Sequence, residues 1–356
     1  MLNTKRNQFV SSKETLSERY SEVLNLLVAD YIATCDAIGS RHLSKKIVGR
    51  LSPATIRSVM SDLEEMGYLS HPHTSAGRIP TQKGLRYHVD TFIGQGVLGD
   101  SERSAIEEQY RFPEKDIRSL MLKTGKVLAG ISRYAGLVAT PKWEKTAFKH
   151  IEFLPLSRGR LLGIFVSQNG MVENRVLEIH EEVNYRELEK INNYCNASFL
   201  GLTLEEARTK VGKELSQARQ EYDALLTKAL LFSQELLTKI ETEELLVEWE
   251  SQLLDAPEFS TVERVKELMQ MLEEKNQLLK VLDSCMESSG VRIFIGAESH
   301  CEAAKNLSLI TATYKQGKQV IGTLGVIGPT RMDYSRVIPM VDFTAKLVTD
   351  LLNQTL

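Results

Sequence analysis

Cysteine is scarce in this 356-residue chain, and Cys35, Cys195, Cys285 and Cys301 form no Cys-x-x-Cys pair. A disulfide framework or a zinc site is therefore not expected, and reduced thiols point to the cytoplasm. No apolar run approaches the ~20 residues that cross a bilayer, and no opening stretch has the layout of a signal peptide, so no membrane partner is expected. The Asn-x-Ser triplets at Asn196 and Asn306 then carry no glycan. Catalytic signatures are missing too. There is no Gly-x-Ser-x-Gly and no His-Glu-x-x-His, and no Gly-Lys-Ser/Thr follows Gly322, Gly325 and Gly328, which read as backbone turns in a strand pattern. Neither an enzyme nor a cofactor is expected.

What remains is an uneven distribution of charge. The net charge of −3 hides a basic segment, since residues 1–93 hold 12 Lys and Arg against 9 Asp and Glu, and the rest holds 32 against 38. Within it, the stretch from Ala37 to Ser61 carries Arg41, Lys45, Lys46, Arg50 and Arg57 and no acid. One-sided charge of this kind suits a phosphate backbone. The length exceeds a single core, so more than one domain is expected.

Ser52 followed by Pro53 is a helix start, because a serine oxygen accepts an orphan N–H and proline at the first position lacks one that would go unused. Ile56, Val59, Met60 and Leu63 then share one stripe, leaving Ala54, Thr55, Arg57, Ser58 and Ser61 outward. Small hydroxyls with one arginine let a helix lie close to base edges, whereas an ordinary solvated face carries long Lys and Glu side chains. Upstream, Leu16, Tyr20, Val23, Leu24, Leu27 and Tyr31 keep helical spacing, and Ser40 is read as the cap of a short helix burying Leu43 and Ile47. The order is that of a helix-turn-helix, with 40–49 supporting and 53–66 reading DNA.

The segment 68–80 reads as a β-hairpin wing with a polar tip at 71–77. His71, His73 and Arg78 are candidates for phosphate or minor-groove contact. The His-x-His pair also suggests metal, but no cysteine or carboxylate stands beside it at ligand spacing, and two ordinary surface histidines are the commoner case. The candidate DNA-binding residues are Ser40, Arg41, Lys45, Ser52, Thr55, Arg57, Ser58, His73, Thr74, Ser75 and Arg78.

Four runs, GSRHL at 39–43, SPATIRSVMSDLEEMGYL at 52–69, PHTSAGRIPT at 72–81 and GTLGVIGPTRMDY at 322–334, resemble the HrcA family of heat-inducible transcription repressors. DAPEF at 255–259 matches more loosely. The chain departs from the family pattern at Ser58, where asparagine is usual. The resemblance implies a dimeric repressor of chaperone operons that binds an inverted repeat of the CIRCE type on double-stranded DNA. It further implies dependence on a chaperonin, and three parts: a winged helix, a GAF-like domain and an inserted dimerising domain.

The residues permit a matching layout of α+β class. A glycine-rich hinge at 94–99 closes a first domain, 1–93. Segments 136–141, 148–156, 160–167 and 171–179 read as strands, with Gln168-Asn169-Gly170 as a hairpin turn, and strands resume at 291–295, 308–314 and 319–327 before a helix at 337–352. This gives a GAF-like antiparallel-sheet domain at 94–183 and 259–356, interrupted by a mainly helical insert at 184–258. Within the insert, Thr203 and Glu206 form a capping box. Leu204, Ala207, Val211, Leu215, Ala218, Tyr222, Leu225, Ala229, Phe232 and Leu236 follow in steps of three and four. Such a seam either packs within its own domain or joins two subunits; a palindrome reader needs a two-fold partner, so Leu215, Tyr222, Leu225 and Phe232 are expected at a homodimer contact. Three functions stay open: a repressor acting by occupancy, a regulator gated by a small ligand in the GAF-like domain, and an interaction protein without sequence-specific binding.

Overall fold

The computed structural model describes residues 16–354 except 48–49, 73–76, 93–97, 115, 142–146, 158, 169, 171, 180–182, 221–223, 240–244, 256, 260, 287–289 and 301–303. Helices and antiparallel sheets are mixed throughout, in two compact units: Met1–Gly96 with Pro329–Arg336, and Val97–Gly328 with Val337–Leu356.

The first unit contains α1 (Glu18–Thr34), α2 (Ser40–Lys46), α3 (Pro53–Glu65), a two-stranded ribbon of β1 (Leu69–Ser70) and β2 (Ile79–Pro80), and α4 (Gln82–Phe92). Its core holds the expected Val23, Leu24 and Leu27 of α1, Leu43 of α2 and Ile56, Val59, Met60 and Leu63 of α3, joined by Val28 of α1 and Leu85 and Val89 of α4, while Leu16, Tyr20 and Tyr31 are half-buried. Gly67, at φ +77°, ends α3 and lets the Tyr68 N–H reach back to the Leu63 carbonyl at 2.9 Å. The ribbon pairs Leu69 with Pro80 and Ser70 with Ile79. It is pinned where Ile38 and Arg78 exchange two backbone hydrogen bonds of 2.9 Å. A side chain at Gly77 would place its Cβ 2.5 Å from the Ile38 carbonyl, so only glycine permits this approach.

The second unit has two sheets where the sequence suggested one. Strands β3 (Ala135–Ala139), β7 (Leu245–Glu248), β8 (Val291–Ile295), β9 (Leu307–Gln316) and β10 (Gln319–Pro329) form a five-stranded sheet in the order β7-β3-β10-β9-β8. On one face Ala135, Leu137, Leu245, Leu309 and Ile327 pack with Leu268 and Leu272 of α10 (Val262–Glu273) and Leu278 and Leu282 of α11 (Lys275–Cys285). Helix α10 is capped by Thr261. The other face carries α6 (Ile117–Ser132), whose Gly125 meets Gly136, and α12 (Tyr334–Gln354), whose Thr349 and Asn353 accept from the backbone at Lys315 and Gly317. Helix α5 (Asp100–Gln109) leads into α6, and Tyr110 after it donates to Thr124 at 3.0 Å. Gly322 and Gly325 sit inside β10 rather than at turns: a Cβ at Gly322 would strike the buried Tyr314 ring, whose hydroxyl donates to Ala139 O at 2.7 Å.

Strands β4 (Phe148–Ser157), β5 (Arg160–Ser167) and β6 (Val172–Glu178) form a separate antiparallel sheet. It shares one core with α7 (Tyr185–Phe199), α8 (Leu204–Gln220) and α9 (Ala224–Lys239). Two expectations are corrected here. The boundary at 183/184 falls inside this body, and β7, assigned to the insert, is hydrogen-bonded to β3. The interrupting segment is thus β4 through α9. The long apolar seam is also this body's own core: Leu204, Ala207, Val211, Leu215, Phe232 and Leu236 are buried with Ile151, Phe153, Phe165 and Leu177 of the sheet, and Leu225 packs on them partly buried. Tyr222 lies outside the described residues. Leu215 and Phe232 are only 7% and 8% exposed within that core, so neither is a surface position open to a second subunit.

Candidate nucleic-acid interface

The start of α3 is fixed locally. Ser52 Oγ accepts the Thr55 N–H at 3.1 Å and meets the Thr55 hydroxyl at 2.9 Å, with Pro53 as first residue. These two hydroxyls therefore serve the cap as well as the surface, and Thr55 is half-buried. With Ile56, Val59, Met60 and Leu63 inward, Ala54, Arg57, Ser58 and Ser61 form an exposed face of small side chains around one guanidinium. Gly39, not Ser40, stands at the N-cap of α2, and Ser40 is half-buried in its first turn. Arg41 and Lys45 project from α2. Like Arg57 they are exposed and pair with no carboxylate among the described residues.

Other cations on the same helices are held. Asp30, buried on α1, forms an ion pair with Lys46 and lies 3.0 Å from His42 Nε2, tying α2 to α1. Tyr20 donates to Asp62 at 2.5 Å, tying α3 to α1. An acid inside an apolar stripe was the available signal for Asp30. Nothing local marks Asp62.

Arg78 has a carboxylate partner. Its Nη2 is 2.7 Å from Glu64 Oε2, and His71 hydrogen-bonds the same carboxylate. The His71 hydrogen bond, and then the Arg78 charge, hold the Glu64 carboxyl below its ordinary range. The Arg78 charge is thereby compensated, and its structural effect is to clamp both strands of the ribbon onto the end of α3. His73, Thr74 and Ser75 lie outside the described residues. No group of three or more His, Cys, Asp or Glu residues able to hold a metal occurs among the described residues, and none of their helices is long and apolar enough to cross a membrane.

The chain as a whole is similar to known proteins. The sequence model of the HrcA protein C-terminal domain matches residues 118–338. A heat-inducible transcription repressor HrcA from Geobacter sulfurreducens is 43% identical over 337 residues, 95% of this chain and 98% of that protein. Its counterpart in Syntrophobacter fumaroxidans is 38% identical over 341 residues, again 95% and 98%. The Brucella canis protein of the same name is 41% identical over 366 residues, 99% of this chain and all of its own. A crystal structure described as that of a hypothetical protein superposes with a TM-score of 0.66 at 22% identity, covering 96% of this chain and 100% of its own, which shows a shared fold. These matches define the chain as a transcription repressor. It belongs to the HrcA family, the heat-inducible transcription repressors.

Proposed function

We propose that this repressor binds a CIRCE-type inverted repeat ahead of heat-shock chaperone operons as a homodimer, blocks transcription by occupancy, and loses activity on heat stress. In this reading the first unit is a winged helix-turn-helix. Helix α3 enters the major groove with Arg57 and Ser58 at base edges, and α2 crosses the backbone with Ser40, Arg41 and Lys45 at phosphates. The cap residues Ser52 and Thr55 bring the positive end of α3 to the strand. His73, Thr74 and Ser75 are assigned to the neighbouring groove, and the Arg78–Glu64 ion pair holds the ribbon to α3. The observation that carries the reading is the exposed, uncompensated trio Arg41, Lys45 and Arg57 beside a face of small residues.

The second unit holds the GAF-like sheet and an inserted dimerising domain, here β4 through α9. The seam through Leu215 lies in the core, so the two-fold contact is proposed on the outward face of β4-β5-β6. Leu154, Leu162 and Val176 stand in register across the three strands there, and Val166 pairs with Val172. Leu154, Val176 and Val172 are 37%, 46% and 56% exposed, an apolar patch that water leaves unsatisfied. A chaperonin that returns heat-inactivated chains to the folded dimer is the further partner, by the family's precedent.

A gel shift comparing the inverted repeat, one half-site and a scrambled duplex tests the reading. Tight binding to the repeat alone is expected. Equal, salt-sensitive affinity for all three would reduce the protein to a non-specific binder.

A further inference from the structure

Residues 329–336 run from the last residue of β10 into the first turn of α12, yet they are part of the first unit. Met332 and Tyr334 are buried, and the segment is a tight turn in its own right. Tyr334 donates through its hydroxyl to Thr330 O at 2.6 Å and through its N–H to Met332 O at 2.9 Å, and Asp333 Oδ1 accepts from Ser335 Oγ at 2.6 Å. From this turn Arg331 Nη1 donates to the carbonyl of Ile32 at 3.1 Å, in the last turn of α1.

That turn is where α1 runs out of backbone donors. The Thr34 hydroxyl bonds the Asp30 carbonyl at 2.9 Å, and the left-handed Cys35 donates its N–H to Tyr31 O at 2.9 Å. Ile32 O takes its bond from the Arg331 guanidinium, whose positive charge also suits the negative end of the helix. The same turn carries Asp30, whose carboxylate grips Lys46 and His42 of α2. A contiguous chain of polar contacts therefore runs from Arg331 through the end of α1 to the helix that supports α3.

We propose that 329–336 is a strap through which the second unit sets the position of α2 and α3, with Arg331 as its positioning residue. Both ends of the strap are peptide-bonded to the second unit, at Gly328 and Val337, so a rearrangement of β10 or α12 pulls on the end of α1 without any ligand touching the first unit. This rests on the DNA-binding reading above and adds to it a route by which the rest of the protein governs affinity.

The test uses full-length R331A and R331K, with amide exchange at Cys35 and affinity for the inverted repeat and a scrambled duplex. Losing a charge-assisted bond to a helix end should speed Cys35 exchange about tenfold in R331A. Discrimination between the two duplexes should fall at least about threefold, and R331K should restore most of both. Unchanged exchange in R331A would overturn the strap. Faster exchange with unchanged discrimination would overturn its positioning role and leave a structural contact. Failure of the DNA-binding reading itself is separately visible, as absence of discrimination in the unsubstituted chain.

Discussion

Arg57 is the side chain on α3 with the reach and the free charge to read a base. Its neighbours on the exposed face are Ala54, Ser58 and Ser61, none of which competes for it. Arg57→Ala should fold normally and lose roughly 1–3 kcal/mol of operator affinity if it holds a guanine edge. If it holds a phosphate, affinity falls for the scrambled duplex as well and the salt slope flattens by about one ion. Salt titrations on both duplexes separate these outcomes, and unchanged binding to both would remove Arg57 from the interface. Arg78→Ala should instead loosen the ribbon, since its charge already answers Glu64.

A second residue-scale consequence comes from His88. It is buried on α4 with its Nδ1 2.9 Å from Asn25 Oδ1, and burial pushes its pKa down to about 4. The unfolded imidazole titrates near 6.5, so the unfolded chain binds the extra proton first as pH falls. The stability that the neutral ring contributes is full above about pH 6.5 and is lost progressively as pH falls towards 4. Between about pH 6.5 and 5 the loss should be roughly 1.5 kcal/mol. Denaturant melts of wild type and His88→Gln at the two pH values check this. The substituted chain should show a shallower acid dependence, and parallel curves would mean that His88 titrates normally.

At the scale of elements, the three-stranded sheet protects one side of itself and leaves another open. Along the free edge of β4, Asn196 of α7 bonds both backbone groups of Ile151, at 3.0 and 2.7 Å, and Asn192 does the same for Phe153, at 2.8 and 3.1 Å. Spacing i, i+4 on the helix meets spacing i, i+2 on the strand, so two asparagines imitate a neighbouring strand and block edge pairing. The Asn-x-Ser triplet at 196 is thus a packing feature. In the proposed reading, association falls to the outward apolar face. Leu154→Asp with Val176→Asp should leave the fold intact, because both positions are exposed, and should give monomers in sedimentation. Affinity for the full inverted repeat should then drop by about 100-fold or more, towards that of a half-site. Persistent dimers would place the two-fold contact on another surface.

At the scale of the whole molecule, the chain passes between its two units at 96/97, 328/329 and 336/337. A unit assembled from distant segments opens at lower cost than the whole molecule unfolds, and heat favours such partial opening. A brief heat pulse should therefore abolish operator binding, and cooling with a chaperonin and ATP should restore it more completely than cooling alone. Full spontaneous recovery, or no gain from the chaperonin, would count against chaperonin control and favour a ligand acting on the five-stranded sheet.

How much of this was legible beforehand differs with the range of the interaction. Helical spacing, the Ser52-Pro53 start, the Thr203–Glu206 box and the clustering of basic residues are local patterns, so the sequence by itself determined α1 to α3, the ribbon after them, the cationic face and the mixed α+β class. It also carried the family. Tertiary structure alone decided which partner each pattern meets. An apolar seam is equally content inside its own domain or against a second subunit, and only the fold shows Leu215 and Phe232 buried in one core with β4, β5 and β6. A guanidinium is free or clamped according to a carboxylate elsewhere in the chain, as Glu64 shows for Arg78. The strap at 329–336 lies almost three hundred residues from the helix it grips. Burial and charge pairing depend on what chain closure brings together, and local pattern contains no record of that choice.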